Sequence, residues 1–388
     1  MANGMGSLMV GATGLRSSQT ALNTTAHNLS NVNTEGYTRQ QITFADSTYA
    51  NVFSKSLNKG KYGLGVDIDA ISRIRNEFID RSYRTESSRL GFYESQANAV
   101  YEVEDWFGEM QGVTYQQHIT NLYNAVNELT KNPTSTIARS SLIQNATAFI
   151  DRSEAIYSGL KDYQVTLNTE VNNMVEKINS LGQKIYNLNK GIVKVEAEGV
   201  ERANDLRDSR DLALDELSKY IDIDYYETKD GEVIVSAENV PFITKNDIAK
   251  MSVREEGTYG LLIPQWEGYQ QDVYNFDKQA NNANDTDKGK LKGLLIARGV
   301  IEVNYTDIPV MPERADYDLT TEQGMAEYNS AMDAYQQKQD YYNKYIEPSA
   351  ILSAIAGFDK LVNGNELPVS KQRYKSVVWE YIKQKGEV

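Results

Sequence analysis

Cysteine is absent from this 388-residue sequence, and histidine occurs only twice. Without Cys there is no disulfide, no thiolate metal site and no cysteine nucleophile. Such a chain also cannot mispair thiols while unfolded, which suits a protein that leaves the cell as an extended chain. A Ser-His-Asp triad would have to use His27 or His118. Both fall in or at expected helices, where packing or capping is the simpler role. Neither an H-E-x-x-H helix nor a G-x-x-x-x-G-K-[ST] phosphate loop occurs. The roughly 20 consecutive apolar residues of a membrane span are also missing. Met1 to Val10 show neither the basic nor the apolar run of a cleaved leader, so export, if it occurs, is expected without a signal peptide. Nor is there an excess of positive charge. With 54 acidic residues against 40 basic and a net charge of −14, the average surface repels a phosphate backbone. These absences lead to the expectation of no enzyme activity, no cofactor, no metal, no nucleic-acid partner and no membrane partner.

What the sequence has in quantity is helical repeat. Its 40% hydrophobic content suffices for real cores. Leu8, Ala12, Leu15, Gln19, Leu22, Ala26 and Leu29 recur at alternating steps of four and three, a narrow seam that calls for a partner helix. The rest of that helix is rich in Ser, Thr, Asn and Gly, which weaken a lone helix, so poor order before assembly is expected. The helix should stop in Asn31 to Tyr37, where Asn and Gly tolerate a turn. From Arg39 to Ile71, glycines and the alternation of Val66, Ile68 and Ala70 predict loops and short strands.

Helix returns from Ile74, with Phe78, Tyr93, Val100, Val103 and Phe107 as its apolar positions, and again over His118 to Thr130. A long seam then runs through Leu142, Phe149, Ile156, Leu160, Leu167, Val171, Met174, Ile178, Leu181, Ile185, Ile192 and Val195. One extra four-residue step near Leu167 is a stutter that relaxes a supercoil. As one helix this seam would be roughly 80 Å long, and an intramolecular bundle is its expected setting. Gly199 should end it. A shorter helix over Glu201 to Lys219 follows, then alternating strands with a hairpin at Asp230-Gly231, in a β-rich unit reaching about Trp266.

Asn281 to Lys288 reads as an exposed loop. Its Asp285, Asp287 and Gly289 approach a calcium-loop pattern, but Ile296 stands where the bidentate Glu belongs. Thr320 to Gln323 offers a capping-box start for a heptad helix with Met325, Tyr328, Met332, Tyr335, Gln339, Tyr342 and Ile346. Another helix is expected over Ser349 to Val362, and a short amphipathic segment carries Tyr374, Val378, Trp379 and Ile382. The charged run Asp205, Arg207, Asp208, Arg210 and Asp211 spaces opposite charges for surface ion pairs within one helix, such as Arg207 with Asp211.

The run His27 to Gln40 resembles the signature of flagellar rod, hook and hook-associated proteins, with Asn28, Asn31, Asn33, Gly36 and Tyr37 as its marks. Arg39 and Gln40 are the form seen in the FlgK (hook-associated protein 1) branch. Gly14 to Leu22, Ala203 to Asp211 with Leu217 to Lys219, and Gly289 to Leu295 resemble further segments of that branch, and Ile351 to Asn363 does so more loosely. Glu366 to Val388 does not resemble the second amphipathic helix with which the family ends.

The resemblance implies a subunit exported unfolded by the flagellar type III apparatus, located outside the cell at the hook–filament junction. Leu8, Leu15, Leu22 and Leu29 would be its assembly face. It also implies a homo-oligomeric layer, contacts with hook protein and a neighbouring hook-associated protein, and an export chaperone. The expected fold is mainly α: an elongated, coiled-coil-like bundle of long helices, a small β-rich insertion and an N-terminal amphipathic assembly helix. Its expected parts are 1–40 (helix and Asn-rich turn), 41–220 (long-helix rod), 221–288 (β-rich unit) and 289–388 (return segment). Alternatives are another axial subunit (hook, distal rod or flagellin) and a secreted adhesin or glycan-binding protein using the surface of its 26 tyrosines.

Overall fold

The computed structural model describes residues 2–52, 60–108, 114–197, 202–276 and 280–362. Helix α1 (Ala2–Ser30) leads into strands β1 (Gln40–Asp46), β2 (Tyr49–Val52), β3 (Gly60–Gly63) and β4 (Val66–Arg73). Helices α2 (Glu77–Phe107), α3 (Tyr115–Lys131), α4 (Thr136–Glu196) and α5 (Asn204–Tyr220) follow. Strands β5 (Ile223–Glu227), β6 (Val233–Ala237) and β7 (Val240–Ile243) precede β8 (Met251–Glu256), β9 (Leu261–Trp266) and β10 (Gln271–Asp272). Helices α6 (Lys290–Arg298), α7 (Glu322–Tyr341) and α8 (Ala350–Val362) complete the described chain. The expected mainly-α class with small β-rich pieces is thus what is found.

Two compact units divide these elements. One comprises residues 1–88 and 177–250, the other residues 89–176 and 251–388. In the first, β1 pairs antiparallel with β4, β2 with β3, and β5-β6-β7 form a meander. In the second, β8, β9 and β10 form another meander with β9 at its centre. The Asp230-Gly231 turn between β5 and β6 is as expected, with Gly231 at φ +85°. Sequence inspection missed the turn between β6 and β7, where Glu238 and Asn239 both take positive φ, 48° and 64°. Two successive left-handed residues match the twist of a tight hairpin.

Helix α4 has 61 residues, about 90 Å at 1.5 Å each. The middle of its seam is buried within the chain, while Leu142 and Phe149 are half-buried and Val195 is exposed. Ile156, Leu160, Leu167, Val171 and Met174 serve the second unit, and Ile178, Leu181, Ile185 and Ile192 the first. Each meander is fastened to α4 by one asparagine. In the first unit, Asn189 donates to the Val233 carbonyl (2.8 Å) and accepts from the Val233 N–H (3.1 Å). In the second, Asn168 donates to the Gly260 carbonyl (2.9 Å) and accepts from the Leu262 N–H (2.7 Å). A side-chain amide carries one donor face and one acceptor face, so it pairs with the central strand as a neighbouring strand would. A buried arginine reaches each asparagine oxygen: Arg210 donates to Asn189 at 3.3 Å, and Arg298 to Asn168 at 2.5 Å. Asn189 lies 21 residues after Asn168, or three heptads.

Close approach explains one glycine of the family-like segment. In α6, a Cβ on Gly293 would stand 2.4 Å from the Phe92 carbonyl oxygen, so a side chain would force α6 away from α2.

Several expectations require correction. Phe78, Tyr93 and Val100 of α2 are exposed; Val103 is buried as its apolar position suggests, together with Phe92, Ala99, Arg84, Ser88 and Ser95, which were not anticipated. The inward face of α2 carries polar side chains, Arg84 bonding Asp215 and Ser95 the Lys290 carbonyl, and hydropathy reads such a face as an outer one. Asp287 is buried, not part of a solvated loop; it accepts from the Tyr93 hydroxyl at 2.8 Å and lies 3.4 Å from the Arg89 guanidinium. Thr321 caps α7, accepting from the Gly324 N–H, but with glycine as the third helical residue the expected capping box is not formed; the helix runs on as a π-helical turn over Tyr342–Ile346. Along its heptad stripe, Ile346 is buried and Met325 exposed. The expected stop at Gly199 and the tail segment with Tyr374, Val378, Trp379 and Ile382 lie outside the described residues.

Candidate assembly surface

Helix α1 turns the usual arrangement inside out. Leu8, Leu15, Leu22 and Leu29 are 72%, 72%, 70% and 74% exposed, and Ala12, Gln19 and Ala26 between them are exposed as well. The packed face carries small polar residues. Helix α1 lies on β1 and β4, with Ser17 buried and Thr13, Thr20, Thr24 and Asn28 half-buried. Thr13 donates to the Leu64 carbonyl (3.3 Å) and Ser17 to the Val66 carbonyl (3.4 Å). Thr20, Thr24, Thr25 and Ser30 donate to the carbonyl four residues back, which satisfies their hydroxyls without solvent. The structure shows this segment as a helix packed on β1 and β4. Small side chains let the helix sit close to the strand pair, and that contact supplies what propensity lacks. A groove of about 720 Å³ extends the apolar surface from Leu29 past Val32 to Phe44.

The turn after α1 is built on Asn28. Its Oδ1 accepts from the Tyr37 hydroxyl (2.7 Å) and the Gln40 N–H (2.9 Å), and its Nδ2 donates to the Gln40 carbonyl (2.9 Å). This is the same strand-like pairing that Asn168 and Asn189 provide, here set where β1 begins. Asn31 donates to the His27 carbonyl (3.0 Å) and accepts from the Thr34 hydroxyl (3.2 Å). Gly36 has φ +78°, a conformation costly for other residues, and a Cβ there would meet Leu212 of α5 at 3.1 Å. The His27 and Tyr37 rings meet edge to face at 5.5 Å. Burial, then Asp208 and Asp205 nearby, push the Tyr37 hydroxyl above its ordinary pKa. The Arg39 carbonyl accepts from the Ile74 N–H (2.9 Å), while the Arg39 and Asn33 side chains are exposed. Of the seven motif residues, Asn28, Tyr37 and Gln40 are thus brought into one cluster. Asn31 and Gly36 shape the turn around it.

Below the turn, α5 presents Asp208, Asp211 and Asp215 at i, i+3 and i+7, one stripe facing three arginines. Arg73 Nη1 lies 2.8 Å from Asp208 and 2.7 Å from Asp211. Arg75 reaches Asp211 at 3.4 Å and Asp215 at 3.5 Å, and Arg84 reaches Asp215 at 2.7 Å while stacking on the Tyr225 ring at 4.4 Å. On another side of α5, Arg207 grips Glu196 with two bonds of 2.8 Å and Glu227 with one of 2.6 Å. Buried Arg210 bonds Glu227 at 2.8 Å and the Gly231 carbonyl at 2.6 Å. The expected surface pairs within α5 are therefore replaced by pairs between elements, because Asp208, Arg210 and Asp211 are buried and their partners come from elsewhere. The acidic i, i+3, i+7 spacing, opposite Arg73-x-Arg75, was the signal available in the sequence.

The Arg207 guanidinium, by its hydrogen bonds, holds the Glu196 carboxyl below its ordinary value of 4.5, and burial opposes this. A depressed folded-state pKa stabilises fully above the unfolded value and is lost as pH falls through the folded value. Glu196→Gln is therefore expected to lower stability at neutral pH and to flatten the loss of stability below about pH 4.5, read by denaturant unfolding across pH. Parallel pH profiles of variant and parent would contradict the pairing.

Among the described residues, no group of three or more acidic or His side chains could hold a metal ion, and no helix is long and apolar enough to cross a membrane.

Residues 100–324, more than half of the chain, match the family described as flagellar hook-associated protein FlgK helical domain. Residues 8–38, comprising the α1 seam and the turn, match the flagella basal body rod protein family. A flagellar hook-associated protein 1 from Bacillus subtilis is 30% identical over 310 residues, covering 77% of this chain and 61% of the relative. The protein of the same name from Salmonella typhimurium is 26% identical over 213 residues, 54% of this chain and 37% of the relative. The flagellar hook junction protein FlgK from Burkholderia pseudomallei superposes with a TM-score of 0.43 at 20% identity, covering 57% of this chain and 38% of that one. The chain thus spans less than two thirds of these relatives' length. On the match over residues 100–324, the chain belongs to the family of the flagellar hook-associated protein FlgK.

Proposed function

We propose that the chain is a structural subunit of the bacterial flagellum at the hook–filament junction, polymerising through the leucine stripe of α1 and transmitting torque by helix packing. One observation carries this reading. Helix α1 uses its small polar face at home, on β1 and β4, and leaves Leu8, Leu15, Leu22 and Leu29 exposed. A row of four leucines in water is a standing cost that burial against a neighbour removes, at roughly 1.5–3 kcal/mol per side chain. Contiguous apolar surface of this kind marks an interaction site. The partners proposed are further copies of the chain in a ring or helical layer, hook protein on one side and a neighbouring hook-associated protein on the other. An export chaperone would accompany the chain inside the cell, and passage through the flagellar export apparatus would place it outside.

The test is position. An epitope-tagged chain in its own host should co-fractionate with purified hook–basal bodies, with immunogold at the distal end of the hook. Label along the hook, in the rod or through the filament would reassign it to another axial role, to which the match over residues 8–38 is equally suited. Label on cells that lack flagella would favour an adhesin instead.

A further inference from the structure

We propose that Asp208 is a positioning residue for α1, a polar latch that fixes how the assembly helix and its strand pair stand on α5. This inference rests on the reading of α1 as the assembly helix. The geometry singles out one carboxylate. Asp208 is buried; its Oδ2 accepts from the Thr38 N–H of the turn at 3.1 Å, and its Oδ1 accepts from Arg73 of β4 at 2.8 Å. It therefore holds both routes by which α1 is tied to the rest of its unit, the chain that leaves the helix and the strand on which the helix lies.

The other links at this joint are few in kind. Asn204 of α5 donates to the Ile71 carbonyl at 2.9 Å, Arg73 and Arg75 reach Asp211, and Leu212 lies against Gly36. Apart from the leucine, these are directional polar contacts. Directional bonds fix an angle where an apolar contact permits sliding, and charge-assisted ones are the stronger kind. Asp211 and Asp215, on the same stripe, bind arginines but not the turn, so they brace α5 without holding the chain that leaves α1. A subunit that carries load from one helix layer to the next gains from such a joint, because a loose one would dissipate the twist.

The absence of native cysteine makes the test direct. Spin labels on Ser18→Cys in α1 and Lys219→Cys in α5, both exposed positions, report the distance between the helices in the full chain. With Asp208 present the distance distribution is expected to be narrow. Asp208→Ala is expected to broaden or split it, and Asp208→Asn, which keeps an acceptor for Thr38 but loses the charge facing Arg73, to broaden it less. Asp215→Asn, which removes a stripe carboxylate that does not touch the turn, is expected to leave it unchanged. Should Asp208→Ala fail to fold by circular dichroism, Asp208→Asn decides alone. A distribution unchanged in the folded Asp208 variants, or broadened as much by Asp215→Asn, would overturn the latch. Incorporation into hooks is scored separately on the same variants. A broadened distribution with normal incorporation would leave the latch standing and count against α1 as the assembly helix.

Discussion

Leu15→Asp combined with Leu22→Asp is expected to abolish incorporation into the flagellum while leaving the subunit as stable as its parent. Both side chains are about 70% exposed, at 72% and 70%, so their replacement removes almost no packing within the subunit. Surface substitutions of this kind shift stability by roughly ±0.5 kcal/mol. In an assembly the balance is different. Two leucines lose about 3–6 kcal/mol of burial per subunit. Each introduced carboxylate must also give up water without a partner, a cost of several kcal/mol more. Even the lower figure is roughly a hundredfold in association. Secretion of the variant into the medium, with unchanged thermal unfolding and no signal in hook–basal bodies, is the expected combination. Lost incorporation together with lost stability would show that the stripe serves the subunit's own fold.

The second large effect concerns the interior. Asn189→Leu is expected to cost about 3–5 kcal/mol in denaturant unfolding, because it strands the Val233 N–H and carbonyl inside the unit and removes a partner of buried Arg210. The substitution is close to isosteric and adds apolar surface, so an account based on hydrophobicity alone would expect a neutral or stabilising result. A cost below about 1 kcal/mol would mean that water reaches the strand and that the asparagine is not its pairing partner.

How much of this was legible in the sequence depended on what a side chain does once buried. The seam of α4 could be read, since Ile156, Leu160, Ile178 and Ile185 are apolar, buried and regularly spaced. The leucine stripe of α1 was equally readable, and its heptad spacing pointed to a partner helix. The opposite face was not. Thr13, Ser17, Thr20 and Thr24 look like solvent positions, yet they are the ones that pack on the strands, because small hydroxyl side chains can satisfy themselves against carbonyls at close range.

The same limit hid the inward face of α2. Arg84 and Ser95 are buried there because an α5 carboxylate and the Lys290 carbonyl stand ready to receive them. Within the motif, Asn28, Tyr37 and Gln40 could be named from resemblance, but their roles came only with the coordinates. Nothing in the run of letters says that one amide accepts from a tyrosine hydroxyl and pairs with a strand twelve residues later. Asp208 was misread for a related reason: ion pairs between elements are invisible to spacing rules written for a single helix.

The most direct measurement of the central claim uses the missing cysteine again. Leu22→Cys, the only thiol in the chain, should react with a maleimide at once in the purified subunit and resist it in isolated hook–basal bodies carrying the same variant. Equal labelling in both states would show that the leucine stripe stays in water after assembly, and the account of α1 as the polymerising helix would be wrong.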